Sequence, residues 1–365
     1  MSEILARDKY HCPTCGADAH WNAAKQALVC PYCGTVSPAQ LTTGGEIQEH
    51  DLVAAMRSVP DEQRGYNTER VSVKCQSCQA ISSFEPNRVA QNCEFCGSAQ
   101  LVPYEQTKAV IRPESLLPFK LADTAVRDQI RAWYGNRWFA PSALKSRALT
   151  DTLKGVYLPY WTFDAKVHAD WTAESGYYYY ETEYYTDSEG RQQSRQVQKI
   201  RWQSSSGSLN HFFDDELVAG TKGAHLDLLE KIEPFPTKEL APYDAGYLAG
   251  WIVEQYQIDL TTAAQRSRAE MDAHVRAMCS RDVPGDTQRN LNVDATYSDM
   301  TFKHVLVPVW LVSYVYGRKS YQVLVNGHTG LIAGDRPYSF WKIFFLVLGI
   351  AAVVGLFLLV ASAKQ

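Results

Sequence analysis

Residues 152–161 read TLKGVYLPYW, and residues 301–310, 149 positions later, read TFKHVLVPVW. The two decapeptides align without gaps and share threonine, lysine, valine, proline and tryptophan at five of their ten positions. Each continues into a run of β-branched and aromatic residues, which is typical of strands. We interpret them as two related β units of one large domain; chance convergence on strand composition is the alternative.

The segments around these units predict a long hairpin and several helices. Residues 171–186, rich in tyrosine, and the basic run 191–202 flank the turn signal DSEG, as two paired strands would. Helical patterns lie at about 123–134, 238–250 and 260–281. In the last of these Cys279 lies on an apolar face, so a buried thiol is expected, with a reactive thiol as the alternative. The predicted fold class is α+β with a substantial antiparallel sheet.

Eight of the nine cysteines form two copies of the pattern C-x2-C-x14-C-x2-C, 63 residues apart. The predicted metal ligands are Cys12, Cys15, Cys30 and Cys33 in the first copy and Cys75, Cys78, Cys93 and Cys96 in the second. Paired knuckles at this spacing are typical of zinc ribbons, in which four thiolates satisfy the tetrahedral preference of Zn²⁺. We therefore expect two structural zinc ions. Gln79 stands where the other knuckles have glycine, so that knuckle is expected to be looser.

The C-terminal segment predicts a membrane anchor. Residues 343–363 are 21 consecutive residues without a charge, bounded by Lys342 and Lys364. About 20 such residues suffice for a helix to cross the hydrocarbon layer, whereas buried helices rarely lack a polar face over this length. Basic residues before the span and reduced zinc thiolates both place the preceding chain in the cytoplasm. The sequence thus predicts a tail-anchored, single-pass protein of the cytoplasmic membrane.

The charge balance disfavours nucleic acid as a partner. The net charge of the whole chain is −4, and residues 1–115 hold ten Lys and Arg against thirteen Asp and Glu. Each four-thiolate zinc centre would add a further charge of about −2. Phosphate binding needs clustered positive charge, which this module lacks in sequence. A basic stripe assembled by folding, from Lys74, Arg88 and Arg112, is the arrangement that would favour nucleic acid.

No catalytic motif is found in the sequence. It contains neither a phosphate-binding P-loop nor a dinucleotide fingerprint, and no nucleophile signature. Asp214, Asp215 and Glu216 are the candidates for a cation or acid–base site, although an acidic run is more often a solvated face. The prediction is that the protein is not an enzyme. An unrecognised site near these acidic residues is the alternative.

Together these features resemble a known bacterial group. The paired ribbons, the blocks LPYWTFDA, VPVW, VNGHTG and GDRPYSFWK, and the terminal apolar segment resemble tail-anchored double zinc-ribbon membrane proteins, called YdjG-like. Such proteins are often labelled primosomal protein N′-like or TFIIB-type zinc ribbon. The first label would imply an ATPase, whose phosphate loop this sequence lacks. The resemblance implies a membrane-bound partner of SPFH-domain and PspA-like envelope-stress proteins.

The expected organisation follows from these segments. It comprises ribbon 1 (1–44), a helical linker (45–70), ribbon 2 (71–104), an α+β domain with two related β units (105–337) and a transmembrane anchor (338–365). The predicted function is that of a non-enzymatic membrane scaffold, which docks cytosolic proteins through its ribbons and its β-rich domain. A membrane-tethered nucleic-acid binder and an enzyme with a site in the central domain are the alternatives.

Overall fold

Strands dominate the described part of the chain. A computed structural model describes residues 11–36, 47–57, 70–84, 91–104, 111–141, 152–186, 188, 190–316 and 319–362. The strands are β1 (His20–Asn22), β2 (Ala27–Val29), β3 (His50–Asp51), β4 (Val71–Cys75), β5 (Ile81–Phe84), β6 (Leu101–Pro103), β7 (Ser115–Leu116), β8 (Lys154–Thr186), β9 (Gln192–Ala219), β10 (Ala241–Pro242), β11 (Ile252–Gln255), β12 (Thr287–Tyr316), β13 (Lys319–Asn326) and β14 (Ile332–Gly334). The α-helices are α1 (Leu52–Arg57), α2 (Asp123–Gly135), α3 (Leu226–Ile232), α4 (Leu260–Asp282) and α5 (Phe340–Ser362).

One sheet of 12 strands organises these residues, and only β1 and β2 form a separate pair. The main path of the sheet runs β10-β7-β12-β8-β11-β5-β4-β6, with β9 beside β8 and with β13 and β3 beside β12. The two decapeptides of the sequence repeat therefore occupy its centre, on β8 and β12. They pair with each other in antiparallel register, Leu158 lying opposite Val307.

The neighbours of β8 and β12 are related by a pseudo-two-fold axis at this pair. Strand β11 runs parallel to β8 at residues 156–157, and β7 runs parallel to β12 at the equivalent residues 305–306. Strand β9 pairs antiparallel with β8 from residue 160, and β13 pairs with β12 from the equivalent residue 309. The helices α4 and α2 follow β11 and β7 in the chain. The chain thus places two β-α-β-β units about one axis.

The shared proline lies where the outer edge of each central strand changes its partner. Because proline has no N–H, no backbone donor is left unpaired at this point. The carbonyl of Pro159 accepts a hydrogen bond from the N–H of Gly220, and the carbonyl of Pro308 accepts one from Gly327, both at 2.8 Å. The repeated proline therefore marks the change from a parallel to an antiparallel neighbour.

The shared tryptophan fixes the loop that precedes each helix. The indole Nε1 of Trp161 donates to the carbonyl of Ile258 at 2.9 Å, just before α4. The indole Nε1 of Trp310 donates to the carbonyl of Leu121 at 3.2 Å, just before α2. Both rings are buried, so each bond satisfies a polar group that would otherwise be costly to bury.

The hairpin of β8 and β9 extends well beyond the rest of the sheet. Strand β12 pairs with β8 only as far as Gly176, so residues 177–186 and 192–201 form a two-stranded arm. At about 3.3 Å per residue, the arm is roughly 33 Å long. Most of its side chains are exposed, including those of Tyr180 and Tyr184. Nearer the core, α4 packs on one face of β8, β9 and β12.

The helix predictions are confirmed in part. Helices α2 and α4 lie where the sequence predicts them, and Cys279 is fully buried on α4, as expected. The predicted helix at 238–250 is wrong, because two short 3₁₀ turns and β10 occupy this segment. Strand β10 pairs with β7, so sheet extension overrides the local helical pattern.

The predicted fold class is wrong in its membrane part. Helix α5 covers the apolar C-terminal segment, but in the part of the chain that the structure describes no helix has the length and apolarity needed to cross a bilayer. This finding overturns the predicted tail anchor at 343–363, the membrane as a partner and the cytoplasmic-membrane location. The start of α5 is held to the protein by Lys342, whose Nζ donates to the carbonyls of Trp138 and Ala140 at 3.0 and 2.8 Å.

Close packing at the centre of the sheet can be tested at Gly155. A Cβ atom there would overlap the indole of Trp251, which is stacked on Phe119 with ring centroids 4.2 Å apart. We expect Gly155→Ala to lower the free energy of unfolding by about 1–3 kcal/mol, because the stacked rings cannot separate without strain. Urea unfolding measures this. Gly135→Ala is the control, since no atom lies within 4 Å of its added Cβ; equal losses in both variants would contradict the packing account.

Candidate metal centres

All four Cys-x-x-Cys knuckles fold in the same way. In each, the N–H of the residue four positions after the first cysteine donates to that cysteine's carbonyl, at 2.9–3.0 Å. This residue, which directly follows the second cysteine, has a positive φ in every knuckle: 73° at Gly16, 74° at Gly34, 66° at Gln79 and 75° at Gly97. Gln79 thus adopts the glycine conformation, and its Nε2 donates to the carbonyl of Gln76 at 2.8 Å. The looser knuckle that the sequence predicted is not formed.

The eight predicted ligands assemble into two groups of four. Within each group the sulfur atoms lie within 4.8 Å of one another. Measured Sγ–Sγ distances are 3.3 Å for Cys12–Cys33, 3.5 Å for Cys15–Cys30, 3.6 Å for Cys75–Cys96 and 3.5 Å for Cys78–Cys93. A disulfide needs about 2.05 Å, whereas four sulfurs at about 2.3 Å from one tetrahedral ion lie about 3.8 Å apart. Both groups therefore fit a metal ion.

A pair of hydroxyl groups links the two knuckles in each ribbon. The Oγ1 atoms of Thr35 and Thr14 lie 3.1 Å apart in ribbon 1, and the Oγ atoms of Ser77 and Ser98 lie 3.0 Å apart in ribbon 2. These residues are equivalent under the shift of 63 positions. Their hydroxyl groups hold the two knuckles in register, and the cysteine spacing alone gave no sign of them.

Local hydrogen bonds already favour the thiolate form at one cysteine of each ribbon. A hydrogen bond with the Thr35 hydroxyl lowers the pKa of Cys33 to about 6. A hydrogen bond from the Cys78 thiol lowers the pKa of Cys93 to about 5. The sulfur contacts raise the pKa of Cys15 and of Cys78 in the same groups. Since the thiolate is the metal-binding form, a cation bound to either group would displace protons from those thiols.

Ribbon 1 packs on the outside of the sheet through its hairpin. The N–H of Trp21 donates to the carbonyl of Ala249 at 3.1 Å, and its ring contacts Tyr247 with centroids 4.6 Å apart. Nε2 of Gln26 donates to the carbonyl of Phe119 at 2.8 Å. The contacts come from the hairpin, while Cys15 and Cys33 remain exposed. The knuckle end of ribbon 1 therefore faces solvent.

Ribbon 2 is part of the main sheet. Its strand β5 pairs with β11, and its strands β4 and β6 extend the same sheet. Phe95, between the last two cysteines, is fully buried, and its carbonyl accepts hydrogen bonds from Ser313 and from Gln322. The neighbouring Glu94 forms an ion pair with Lys154 of β8. The knuckle of ribbon 2 is thus inserted into the protein.

The two copies differ most at one aromatic position. Tyr32 of ribbon 1 and Phe95 of ribbon 2 are equivalent under the 63-residue shift. The side chain of Phe95 has no exposed surface, whereas Tyr32 retains 82% of its accessible area. The same knuckle geometry therefore carries one buried and one exposed aromatic ring.

The alternative cation or acid–base site at Asp214, Asp215 and Glu216 does not assemble. The carboxylate of Asp215 is 2.7 Å from Nζ of Lys303, and that of Glu216 is 3.5 Å from Nδ1 of His274. Asp214 is exposed. Among the described residues, only the two cysteine groups are placed to hold a metal ion. The acidic run therefore divides between two ion pairs and the surface.

A charge network that the sequence did not reveal surrounds the buried Lys303. Nζ of Lys303 contacts Asp215 and, at 3.1 Å, Glu49. Asp164 is buried beside them; it accepts hydrogen bonds from the N–H of Asp215 at 2.6 Å and from the Thr301 hydroxyl at 3.1 Å. Bulges interrupt the pairing of β8 with both neighbours near Asp164, and Asp215 has a φ of 56°. Burial raises the pKa of Asp164 to about 6.

The shared lysine of the repeat was the available signal for this network. Lys154 and Lys303 occupy equivalent positions in the two decapeptides. Lys154 pairs with Glu94 of ribbon 2, and Lys303 pairs with Glu49, which lies between ribbon 1 and α1. Both repeats thus use this lysine to bind an acidic residue from the N-terminal third of the chain.

The residues named for a basic stripe give it no support. Lys74 lies in β4 and is half-buried, as is Arg112. Arg88 lies outside the described residues. Nucleic-acid binding therefore remains an untested alternative.

Comparison with known proteins gives one informative match. The chain is 25% identical over 352 residues to YdjG of Bacillus subtilis strain 168, a protein described only as uncharacterised. The match covers 94% of both chains. No protein-family model matches the sequence. No solved structure matches it either. The similarity to YdjG and the two four-cysteine groups support the YdjG-like and double-ribbon parts of the resemblance drawn from the sequence motifs, but not its membrane anchor.

Substitution of equivalent cysteines should separate the two ribbons. We expect Cys15→Ser and Cys78→Ser each to reduce the bound metal from about two ions to about one per chain. The melting temperature should fall further for Cys78→Ser, because ribbon 2 shares strands with the main sheet. Elemental analysis and thermal denaturation measure both effects. Unchanged metal content in either variant would contradict that ligand assignment.

The network at Asp164 should make stability depend on pH. A carboxyl pKa of about 6 in the folded state exceeds the value of about 3.9 in an unfolded chain, so folding favours the proton. The protonated Asp164 carboxyl group therefore contributes to the free energy of unfolding fully at low pH, and this contribution is lost as the pH rises through 6. From pH 5 to 7.5, we expect Asp164→Asn to gain stability relative to the unsubstituted protein, by about 1 kcal/mol.

Denaturant unfolding at a series of pH values measures this difference. Asn keeps the size of the side chain and an oxygen that can accept the Asp215 N–H. Metal loss at low pH affects both proteins alike and cancels in the comparison. A difference between the two proteins that stays constant with pH would contradict the raised pKa.

Proposed function

We propose that the protein is a non-enzymatic scaffold that holds two structural zinc ions and docks a protein partner through ribbon 1. The exposed Tyr32 at the tip of a well-formed knuckle carries this proposal. The partner is a protein surface with a pocket for an aromatic ring and with donors for the adjacent backbone carbonyl. These are the features that the main sheet offers to ribbon 2.

Ribbon 2 supports this role because it shows what the same knuckle does when it is bound. Phe95 is buried, and its carbonyl accepts the Gln322 amide at 2.9 Å. A matched knuckle with an exposed aromatic ring has the geometry for a similar contact with another protein. Tyrosine is enriched at protein interfaces, since it combines a large apolar ring with a hydrogen-bonding group.

Zinc is the metal that the donor set favours. Four thiolates in a tetrahedral arrangement select zinc or an iron–sulfur centre, and paired knuckles with these spacings are typical of structural zinc. A structural site has all four positions filled by protein, whereas a catalytic site keeps one open for water or substrate. The complete sets of four cysteines support a structural role for both ions.

The tyrosine-bearing arm offers a second exposed surface for a partner. Opposite residues of a strand pair share a face, and Tyr178, Tyr180 and Tyr184 lie on a face that has no charged residue. The other face carries ion pairs of Glu183 with Arg195 and of Glu181 with Lys199. An uncharged face rich in tyrosine, glutamine and threonine resembles protein-binding surfaces in composition.

The docking role of ribbon 1 can be tested at Tyr32. The tagged full-length protein and its Tyr32→Ala variant are captured from cells under matched conditions, and the co-purifying proteins are quantified. We expect the variant to lose one or more partners at least tenfold, because truncation of an aromatic anchor typically costs about 2 kcal/mol or more. Its metal content and melting temperature should not change.

Lys25→Ala is the matched control, since Lys25 is an exposed residue at the hairpin turn of the same ribbon. It should retain the partners that Tyr32→Ala loses. Equal recovery with both variants would contradict docking through the knuckle. Recovery of nucleic acid that survives moderate salt, without a protein partner, would favour the alternative function.

A further inference from the structure

Strand β9 leaves a long edge of the sheet open. In the described part of the chain β9 pairs with β8 alone, over its full length from Gln192 to Ala219. The equivalent strand of the other repeat, β13, is covered on its outer edge by β14. An open edge presents a row of unpaired backbone N–H and C=O groups, which is a template for another strand.

The central part of this edge lacks the usual protection against pairing. Residues 202–213 read WQSSSGSLNHFF and contain no lysine, arginine, carboxylate or proline. The register between β8 and β9 is regular along this stretch, and the bulge lies beyond Phe213. Charges, prolines and bulges are the features with which proteins block edge-to-edge contact. Their absence from residues 202–213 suits this stretch to pair with another strand.

The charges at the two ends of this stretch favour one partner and one direction. Arg195, Lys199 and Arg201 precede it, and Asp214 follows it. Arg201 and Asp214 are both exposed. In antiparallel pairing with a second copy, the basic end of each β9 lies beside the acidic end of the other. Parallel pairing would oppose like charges, which is destabilising.

The side chains also allow a two-fold axis through the sheet. A two-fold axis perpendicular to the sheet does not exchange its two faces. Residues that lie opposite each other across the axis must therefore point to the same face, so both have even numbers or both have odd numbers. With the axis at Gly207, Trp202 lies opposite Phe212 of the second copy, and Ser204 lies opposite Asn210. Ser206 then lies opposite Ser208, beside the axis. These even-numbered residues point to the more exposed face of β9. There the pair of Trp202 with Phe212 of the second copy would stabilise the contact between the two β9 strands, as aromatic cross-strand pairs do.

We infer that two copies of this chain associate through antiparallel pairing of β9 about a two-fold axis near Gly207. The association joins the two 12-stranded sheets into one continuous sheet. It repeats between molecules the arrangement in which β8 and β12 already pair within one molecule. It needs no partner of another kind and is independent of the scaffold role of ribbon 1.

Sedimentation velocity of the full-length, metal-loaded protein over a range of concentrations tests this inference. The unsubstituted chain should form a dimer. Ser206→Lys should raise the dimer dissociation constant at least tenfold, because it places two ammonium groups beside the axis. Thr172→Lys is the control: Thr172 lies opposite Ser206 on the same exposed face, but on the inner strand β8. A monomer at all concentrations, or equal behaviour of the two variants, would overturn the inference.

A charge exchange tests the direction of pairing. Ser204 and Asn210 lie opposite each other across the axis, on the exposed face of β9. Ser204→Lys with Asn210→Lys should weaken the dimer, whereas Ser204→Lys with Asn210→Glu should regain most of the lost affinity. Within one chain the two positions are about six residues apart on a strand, or roughly 20 Å, so they cannot compensate each other there. Failure of the oppositely charged pair to recover affinity would overturn the antiparallel arrangement. Melting temperature and metal content monitor the fold of every variant.

Discussion

The antiparallel pairing of β8 with β12 is the contact on which the rest of the structure depends. Each strand offers its inner edge to the other and its outer edge to two successive neighbours, one parallel and one antiparallel. A strand can change neighbours in this way only if the backbone groups at the change find other partners. Pro159 and Pro308 meet this condition, since each lacks the N–H and uses its carbonyl to bind a glycine. The buried tryptophans then attach the loop before each helix to the same point.

The two ribbons place the same four-cysteine unit in two different surroundings. Their knuckles have the same hydrogen bonds, the same positive φ angles and the same pair of bridging hydroxyl groups. Their surroundings differ, because ribbon 2 donates its strands to the main sheet while ribbon 1 contacts it through a hairpin. The four-cysteine group of ribbon 2 thus lies within the main sheet, whereas that of ribbon 1 lies in an exposed knuckle. This difference between otherwise equivalent units is the basis of the proposed docking role.

Two lysines connect the central domain to the N-terminal third of the chain. Each ion pair has one buried and one solvent-accessible partner: Glu94 is buried beside Lys154, and Lys303 is buried beside Glu49. Such a pair contributes little net stability, since desolvation of the buried charge offsets much of the attraction, but removal of its partner is costly. Such pairs therefore determine which N-terminal segment packs against which repeat. Their contribution to the free energy of unfolding is small. Lys154 selects Glu94 of ribbon 2, and Lys303 selects Glu49 ahead of α1. The two repeats place these lysines on the same face of the sheet, so both N-terminal attachments are made on one side.

The sequence by itself determined the parts that depend on spacing. The two four-cysteine groups, which could hold metal ions, follow from the repeated Cys-x-x-Cys spacing. The 149-residue repeat marked the strands that form the centre. The long hairpin and α4 followed from local periodicity. Tertiary structure alone decided that the two repeats pair with each other and that one ribbon joins the sheet. It also decided that Asp215 and Glu216 enter separate ion pairs while Asp214 is exposed. It likewise decided that residues 238–250 form two 3₁₀ turns and the short strand β10 instead of a helix. The physical reason is that strand pairing and burial of charge join residues far apart in the chain, and no local pattern records which partner is chosen.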